Sequence, residues 1–521
     1  MNLNYLCSMK QIRAISLLTF SCIVSIGTLL LYNIPFFQYV VQHTNGSASE
    51  MIFLLVSLIV IMLVVNFMMT SLVMWLLRRV GRILLAILSI INSAAVYFIF
   101  TYGVFIDATT IENVFNTRYS EASDFFSWGL WFFILVLGVL PALYCLFQPV
   151  VICKAKKLGI YCGSSLVIIL VIALLNINQT LWISHHDTEL GGLLQPWSYV
   201  VNTCRVISFQ HDEQTEEIKL PDGKIVDKEK AVVVLVIGES ARKANFQLYG
   251  YKRDTNPLLS KQKGLKVYQA TSCATYTTAG CKAILEPKNS DELYELLPNY
   301  AFRIGADVSW RTYNWGEPPI HIDEYLTNQE LATLYPDVDE RYDGILFARL
   351  RERILSSKKD KVLVILHTST SHGPKYVDKY PKEFEVYKPV AKNIEEGEKN
   401  IGMLVNAYDN TIRYTDFLLD SLINTLRLMT DRHSAMIFIS DHGESLGEKG
   451  MFMHGLPLKL APQVQYEIPF LVWTSDHFRR FKSADKLPAV LDQHYVFHSV
   501  LNLLSIQSPA YDKDYDIFEI N

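Results

Sequence analysis

Five stretches of nearly uncharged apolar residues follow one another between Ala14 and Ile177, at about residues 14–37, 51–77, 83–106, 125–147 and 158–177. Each is about 20 residues or longer, enough to cross a hydrocarbon layer roughly 30 Å thick. Buried helices of water-soluble proteins are rarely that long five times in succession, so the pattern predicts a multi-pass α-helical membrane domain of five spans over residues 1–177. Lys10 and Arg13 ahead of the first stretch look like the start of a cleaved leader. Its apolar run exceeds a leader core, however, and no small-residue cleavage site follows, so it is read as a span.

Basic residues orient the spans. Lys10 and Arg13 precede the first, Arg78, Arg79 and Arg82 lie between the second and third, and Lys154, Lys156 and Lys157 lie between the fourth and fifth. These places alternate, so all can be cytoplasmic together. The loops at about 38–50 and 107–124, and everything after about residue 178, are then outside, which for a bacterial-type inner-membrane chain is the periplasm. A net charge of −4 with no strongly basic patch leaves no footprint for nucleic acid. Of eight cysteines, Cys273 and Cys281 are the external pair closest in sequence, and a disulfide between them is expected outside the cytoplasm, with Cys204 left over.

Residues 178–230 read as an interfacial connector. Trp197 and Tyr199 in LLQPWSYVVNTCRVIS suit a helix at the lipid surface, and the DEQTEEIKLPDGKIVDKEK that follows is charged and turn-rich. Over residues 231–521 short β-rich runs alternate with helix-length segments, which predicts an α/β domain with a mostly parallel sheet. Three of its strands end in polar groups: AVVVLVIGES in Glu239, KVLVILHTSTSH in His367 and His372, and AMIFISDHGES in Asp441 and His442. One acidic strand end is usually only a helix N-cap. Three endings of ligand type, on strands whose carboxyl ends line the ligand crevice of an open parallel sheet, point instead to a metal. Two carboxylates and an imidazole suit Zn2+, with Mn2+ second, better than the all-oxygen sites of calcium or magnesium. A hydroxyl from TSCATYTTAGC (271–281) is the candidate fourth ligand, and a metal-activated threonine there would be a nucleophile. The residues alone leave Thr275, Thr277 and Thr278 open.

GESARKANFQLYGYKRDTNP (238–257), TSCATYTTAGC, HTSTSHGPKY (367–376), SDHGESLGE (440–448) and His454 in MFMHG occur in order along the external domain. Together with five preceding spans, they resemble the bacterial phosphoethanolamine transferases of the alkaline phosphatase and sulfatase superfamily, including those that modify lipid A and confer polymyxin resistance. The resemblance implies that Glu239, Thr277, Asp441 and His442 hold the catalytic zinc and that Thr277 is the nucleophile. It implies that His372 and His454 contact the phosphoryl group or a second metal ion, and that Asn113, Thr117 and Glu121 hold the donor head group. The implied donor is phosphatidylethanolamine, and the implied acceptor is lipid A or the lipopolysaccharide core. Where several relatives have a lysine-bearing stretch this chain has NWGEPPIHIDEY (314–325), so Asn314 and Glu317 stand as candidate replacements for that substrate contact. Relatives best known for lipid A also carry extra external disulfides, and this chain has cysteines for one. A phosphoglycerol transferase of the lipoteichoic acid synthase type shares the spans and the threonine, but the SDHGES and HGPKY strings argue against it. A sulfatase would need a CxPxR motif that the nucleophile region lacks. The remaining alternative is a non-catalytic membrane sensor that binds zinc.

Overall fold

The computed structural model describes residues 13–44, 48–116, 122–176, 182–183, 186–212, 217–290, 292–476 and 478–519. Thr117 and Glu121 lie outside the described residues. Tertiary contacts divide the chain into two compact units, Met1–Phe209 and Gln210–Asn521.

In the first unit, the helices Ala48–Leu77, Arg79–Tyr102, Trp128–Phe147 and Ala155–Leu175 are each long and apolar enough to cross a membrane. Leu17–Tyr32 and Ile34–His43, bent by 59° at the break between them, make a fifth crossing if they are counted as one. Pro35 explains why the helix cannot run straight through, because its nitrogen carries no hydrogen and its ring clashes with the preceding turn. Asn33 fills the gap. Its amide donates to the carbonyls of Thr28 and Gln195, both at 3.0 Å, and accepts from the Gln195 N–H at 2.9 Å. The Asn33 side chain thereby ties the break to the Thr28 carbonyl and to the Gln195 backbone with direct hydrogen bonds. Leu166, Val167, Leu170 and Leu174 keep the outer side of Ala155–Leu175 exposed and apolar. The helix Trp197–Asp212 joins this unit through Trp197, whose indole donates to Asn66 at 3.1 Å, and Tyr199, whose hydroxyl donates to Asn92 at 2.9 Å. Asn113 sits half-buried on the helix Ala108–Asn116.

The second unit is built on seven strands: β1 (Ala231–Gly238), β2 (Lys266–Thr271), β3 (Asp307–Thr312), β4 (Glu324–Thr327), β5 (Lys361–His367), β6 (His433–Ser440) and β7 (Glu467–Thr474). Their order across the sheet is β2-β7-β6-β1-β5-β3-β4. The mostly parallel sheet expected from the sequence is in fact mixed. The ladders on the β1, β5, β3 and β4 side are parallel, but β7 runs antiparallel to both β6 and β2. The physical reason is the connection. Residues 441–466 lead from β6 to β7 without an α-helix, and a parallel return would need a crossover, usually helical.

β1 and β5 are buried along their whole length, which accounts for their uninterrupted apolar sequence. On one face Val233, Leu235, Ile237, Ile365 and Ile437 pack with Ile284 and Leu285 of the helix Thr277–Leu285 and with Val496, Phe497 and Val500 of Tyr495–Leu503. The amphipathic helix Ile401–Arg427 packs against β6 and buries Leu404, Ala407, Ile412, Leu419 and Ile423. Each fully buried aliphatic side chain contributes about 1.5–3 kcal/mol, so this core fixes the strand register firmly. Ile237 pairs with His367 on one side and with Ile439 on the other, so β1, β5 and β6 end level. The ladder continues one step past the strands: the Thr368 N–H donates to the Ile237 carbonyl at 3.0 Å, and the Asp441 N–H to that of Gly238 at 2.9 Å. Polar residues following these three strands therefore emerge side by side.

Candidate active site and metal centre

Glu239, the residue after β1, is almost fully buried. Ser240 turns the chain sharply at φ 53°, a left-handed conformation that costs a non-glycine residue strain and is held here by the surroundings. Its N–H donates to Asp441 Oδ1 at 3.1 Å and its hydroxyl to Glu239 Oε1 at 2.6 Å. Asp441 and His442 follow β6 and are both inaccessible to solvent. His442 Nδ1 lies 2.8 Å from the Gly443 carbonyl, which makes Nδ1 the protonated nitrogen and turns Nε2 toward the carboxylates.

Thr277 opens the nine-residue helix Thr277–Leu285. Its hydroxyl lies 3.3 Å from Glu239 Oε2 and 3.3 Å from His442 Nε2. The neighbouring threonines face elsewhere. The Thr275 hydroxyl is committed to the Leu456 carbonyl at 2.5 Å, and Thr278 lies against Gly316. Two contacts press this helix onto the strand ends. A β-carbon on Gly280 would sit 2.4 Å from the Asp441 carbonyl oxygen, so only glycine permits the approach. Gln493 accepts from the Cys273 N–H at 2.9 Å and donates to the carbonyls of Ser440 and Asp441.

His454 is reached by a loop pinned to the same segment, the Gly455 N–H donating to the Thr275 carbonyl at 2.8 Å. Its Nδ1 lies 2.7 Å from Glu444 Oε2, and Glu444 Oε1 accepts from the Tyr376 hydroxyl at 2.6 Å. The His454 ring is 4.2 Å from that of His442 and 5.4 Å from that of His372. Sequence reasoning gave no role to Ser240, Glu444 or Tyr376. Glu444 alone carried a signal, as a carboxylate two residues beyond the Asp441–His442 pair.

Glu239, His442 and His454 form a candidate metal cluster, with ligand atoms all within 4.8 Å of one another. Asp441 Oδ2 lies 3.3 Å from His442 Nε2, and Glu239 Oε1 lies 3.4 Å from it. Thr277 Oγ1, Asp441 Oδ2 and Glu239 Oε1 thus lie 3.3, 3.3 and 3.4 Å from His442 Nε2, near the edge of about 3.3 Å of a tetrahedral ion with arms of about 2.0 Å. Asp441 Oδ2 is also buried with no hydrogen-bond donor among the described residues. Burial and the charge of Glu239 push the Asp441 carboxyl well above its ordinary range. Burial works against charge on Glu239 too, but the imidazoles of His442, His372 and His454 outweigh it and hold Glu239 below the usual carboxylate range. Burial and the nearby His454 bring His442 down to about 4, leaving it a neutral ligand. Two buried carboxylates that repel, with a neutral imidazole beside them, match a divalent cation by the chemistry of the donor set.

Asn314 and Glu317 are both committed within the protein. Asn314 donates to Glu239 Oε2 at 2.5 Å and to the Thr368 carbonyl at 3.0 Å. Glu317 faces His367 Nδ1 at 3.3 Å and accepts from the Tyr325 hydroxyl. The expected Cys273–Cys281 disulfide is not formed, and both thiols are free. Helix geometry separates them. Cys281, on the fifth residue of its helix, is buried with Sγ 3.5 Å from His367 Nε2, whereas Cys273 lies in the preceding loop with Sγ 3.7 Å from His494 Nδ1.

The family described as Sulfatase matches residues 231–506, and the family described as Phosphoethanolamine transferase EptA/EptB matches residues 62–211. Phosphoethanolamine transferase EptA of Helicobacter pylori is 37% identical over 492 residues, covering 92% of this chain and 92% of its own. Phosphatidylethanolamine transferase Mcr-1 of Escherichia coli is 27% identical over 85% of this chain and 86% of its own. Among solved structures, the integral membrane lipooligosaccharide phosphoethanolamine transferase A (EptA) from Neisseria meningitidis superposes with a TM-score of 0.87 at 26% identity, over 96% of this chain and 98% of that one. With its strand-end cluster in a sulfatase-type domain and this likeness along nearly its whole length, the chain belongs to the phosphoethanolamine transferase family.

Proposed function

We propose that this protein transfers phosphoethanolamine from phosphatidylethanolamine to lipid A or a neighbouring lipopolysaccharide sugar, working at the periplasmic side of the bacterial inner membrane. The observation that carries the reading is the Thr277 hydroxyl, 3.3 Å from both Glu239 and His442 at the start of a helix. Residues 1–177 serve as the membrane domain, 178–230 as the interfacial connector and 231–521 as the catalytic domain. Glu239, Thr277, Asp441 and His442 are the residues that would hold Zn2+. The bound cation supplies positive charge that favours the deprotonated threonine hydroxyl and offsets charge on the phosphoryl oxygens.

Thr277 Oγ attacks the phosphorus of the donor, the bond to the glyceride oxygen breaks, and diacylglycerol leaves with a proton. A phosphoethanolamine–threonine ester remains. A hydroxyl or phosphate oxygen of the acceptor then attacks the same phosphorus, and Thr277 regains its proton. First-turn N–H groups of the helix, which have no intrahelical partner, face the transferred phosphoryl group and favour its negative charge. His454, oriented through Nδ1 by Glu444, and His372 beside it contact that group, and one of them protonates the leaving glyceride oxygen. Asn113, Thr117 and Glu121 hold the donor head group. Keeping donor and acceptor in one bilayer plane shortens the search for a productive encounter.

The test is mass spectrometry of lipopolysaccharide and other envelope glycans from cells expressing wild type or Thr277→Ala. A phosphoethanolamine adduct that depends on wild type and vanishes with Thr277→Ala is the expected result. Equal adducts in both strains, or none in either, overturn the reading, and a glycerophosphate adduct would assign the rival head group.

A further inference from the structure

Behind the nucleophile lies a buried chain of polar side chains that the transfer chemistry does not use. Cys281 is on the nucleophile helix, four residues after Thr277, and its Sγ is 3.5 Å from His367 Nε2. His367, the last residue of β5, faces Glu317 Oε2 through Nδ1 at 3.3 Å, and Glu317 accepts from the Tyr325 hydroxyl on β4 through its other oxygen. Trp310 closes the edge, its ring 5.9 Å from the imidazole and nearly perpendicular to it. His367 and Cys281 are inaccessible to solvent, and the Glu317 side chain is 7% exposed. A proton on Nδ1, facing the carboxylate, leaves Nε2 to accept from the thiol. The Nδ1–Oε2 approach is a charge contact of 3.3 Å that falls short of hydrogen-bond geometry among the described residues, whereas the thiol and the tyrosine hydroxyl make hydrogen bonds at the two ends.

What this chain anchors matters more than its own bonds. Glu317 ends the segment Asn314–Glu317, whose first residue donates to Glu239 at 2.5 Å. Gly316, at φ +90°, lies against the nucleophile: a β-carbon there would be 3.3 Å from Thr278 Oγ1 and 3.4 Å from Thr277 Cγ2. The two ends of the polar chain are therefore the nucleophile helix and the segment laid over it, with the end of β5 between them. Moving either end would break the Cys281–His367 or Tyr325–Glu317 hydrogen bond and draw the buried Glu317 carboxylate further from the imidazole, a costly change for groups removed from water, so displacement of either end is resisted.

We propose that Glu317 and His367 are positioning residues for Thr277, holding the nucleophile helix and the Asn314–Gly316 segment in mutual register, and that Glu317 is not a contact for substrate. The inference rests on the transferase reading given above. It predicts that losses at Glu317 and Cys281 are two ways of breaking one device and do not add.

The test uses the full-length protein with phosphatidylethanolamine labelled in its head group, measuring phosphothreonine formation in a single turnover, KM for the donor, and peptide-resolved labelling of Cys281 by a small maleimide. For Glu317→Ala the expected result is a turnover rate lower by on the order of 10–100-fold, with KM within about threefold of wild type and Cys281 labelled at least about tenfold faster. Cys281→Ala should slow turnover in the same sense, and the double variant should be no slower than the worse single one. Glu317→Gln, which keeps an oxygen acceptor in the same space, should recover most of the rate. If Glu317→Ala does not fold, Cys281→Ala must still slow turnover with KM unchanged. A raised KM at unchanged turnover would make Glu317 a substrate contact and overturn the inference, as would additive losses or unchanged Cys281 labelling. Absence of phosphothreonine in wild type would overturn the transferase reading instead, and the labelling comparison would still decide the positioning claim.

Discussion

Gly280 lies against the carbonyl oxygen of Asp441 so closely that a β-carbon would come within 2.4 Å of it. The nucleophile helix and the ligand-bearing end of β6 touch backbone to backbone at this point, which sets how far Thr277 stands from His442. Gly280→Ala should push the helix away and slow phosphothreonine formation by on the order of 100-fold, while overpacking costs about 1–3 kcal/mol of stability. Single-turnover rates alongside thermal melting check this. A variant with wild-type turnover would show that the close approach is incidental.

Asp441 carries a buried oxygen with no donor among the described residues, beside the charged Glu239. Removing metal with a chelator should therefore lower both activity and melting temperature, with Zn2+ restoring both. Asp441→Asn should invert the balance, because it relieves the repulsion when no cation is bound and removes a ligand when one is. The expected outcome is a metal-free form at least as stable as metal-free wild type. Its zinc affinity should fall by more than the about 10–100-fold typical of an outer partner's loss. Calorimetry with and without zinc gives both numbers.

Free thiols at Cys273 and Cys281 make a simple prediction about redox. Protein denatured without reductant should show both residues alkylated by iodoacetamide in peptide maps. Reductant should leave the melting temperature unchanged, whereas breaking a bridge across so short a loop would cost about 2–3 kcal/mol. Recovery of a Cys273–Cys281 linked peptide from native protein would contradict the structure.

His494 gives the catalytic unit a pH dependence. Burial alone would disfavour its charge, but Asp492, Cys273 and Glu286 around it outweigh that and raise it from 6.5 to about 11. The folded state then holds a proton that the unfolded chain releases at lower pH. Its contribution to stability is complete below about pH 6.5 and is lost as pH rises toward 11. Thermal melting between pH 6 and 10 should show that decline, and His494→Gln should flatten it. A profile equally steep in the variant would assign the decline to other groups.

Much of this protein was legible in one dimension. Span-length apolar runs, the unbroken hydrophobic strands VVVLVIG and KVLVILH, and polar endings at Glu239, His367 and Asp441 depend on local composition, and the register of a buried sheet brings such endings level. Everything that depended on which groups finally meet needed the tertiary structure. The 59° break at Asn33 is visible in the sequence only as a proline, and the Asn33 side chain finds its partner in Gln195, 162 residues away. The sheet is mixed because a loop without a helix returns β7 beside β6. Cys273 and Cys281 are near neighbours in sequence, yet a helix turns one inward to His367 and leaves the other beside His494. Among three threonines, the direction of each hydroxyl separates Thr277, and Asn314 and Glu317 are committed to Glu239 and His367. Periodicity and composition fix which face of an element is buried, but the choice of partner for a polar side chain is made by distances of 2–4 Å across elements far apart in the chain, and only packing sets those.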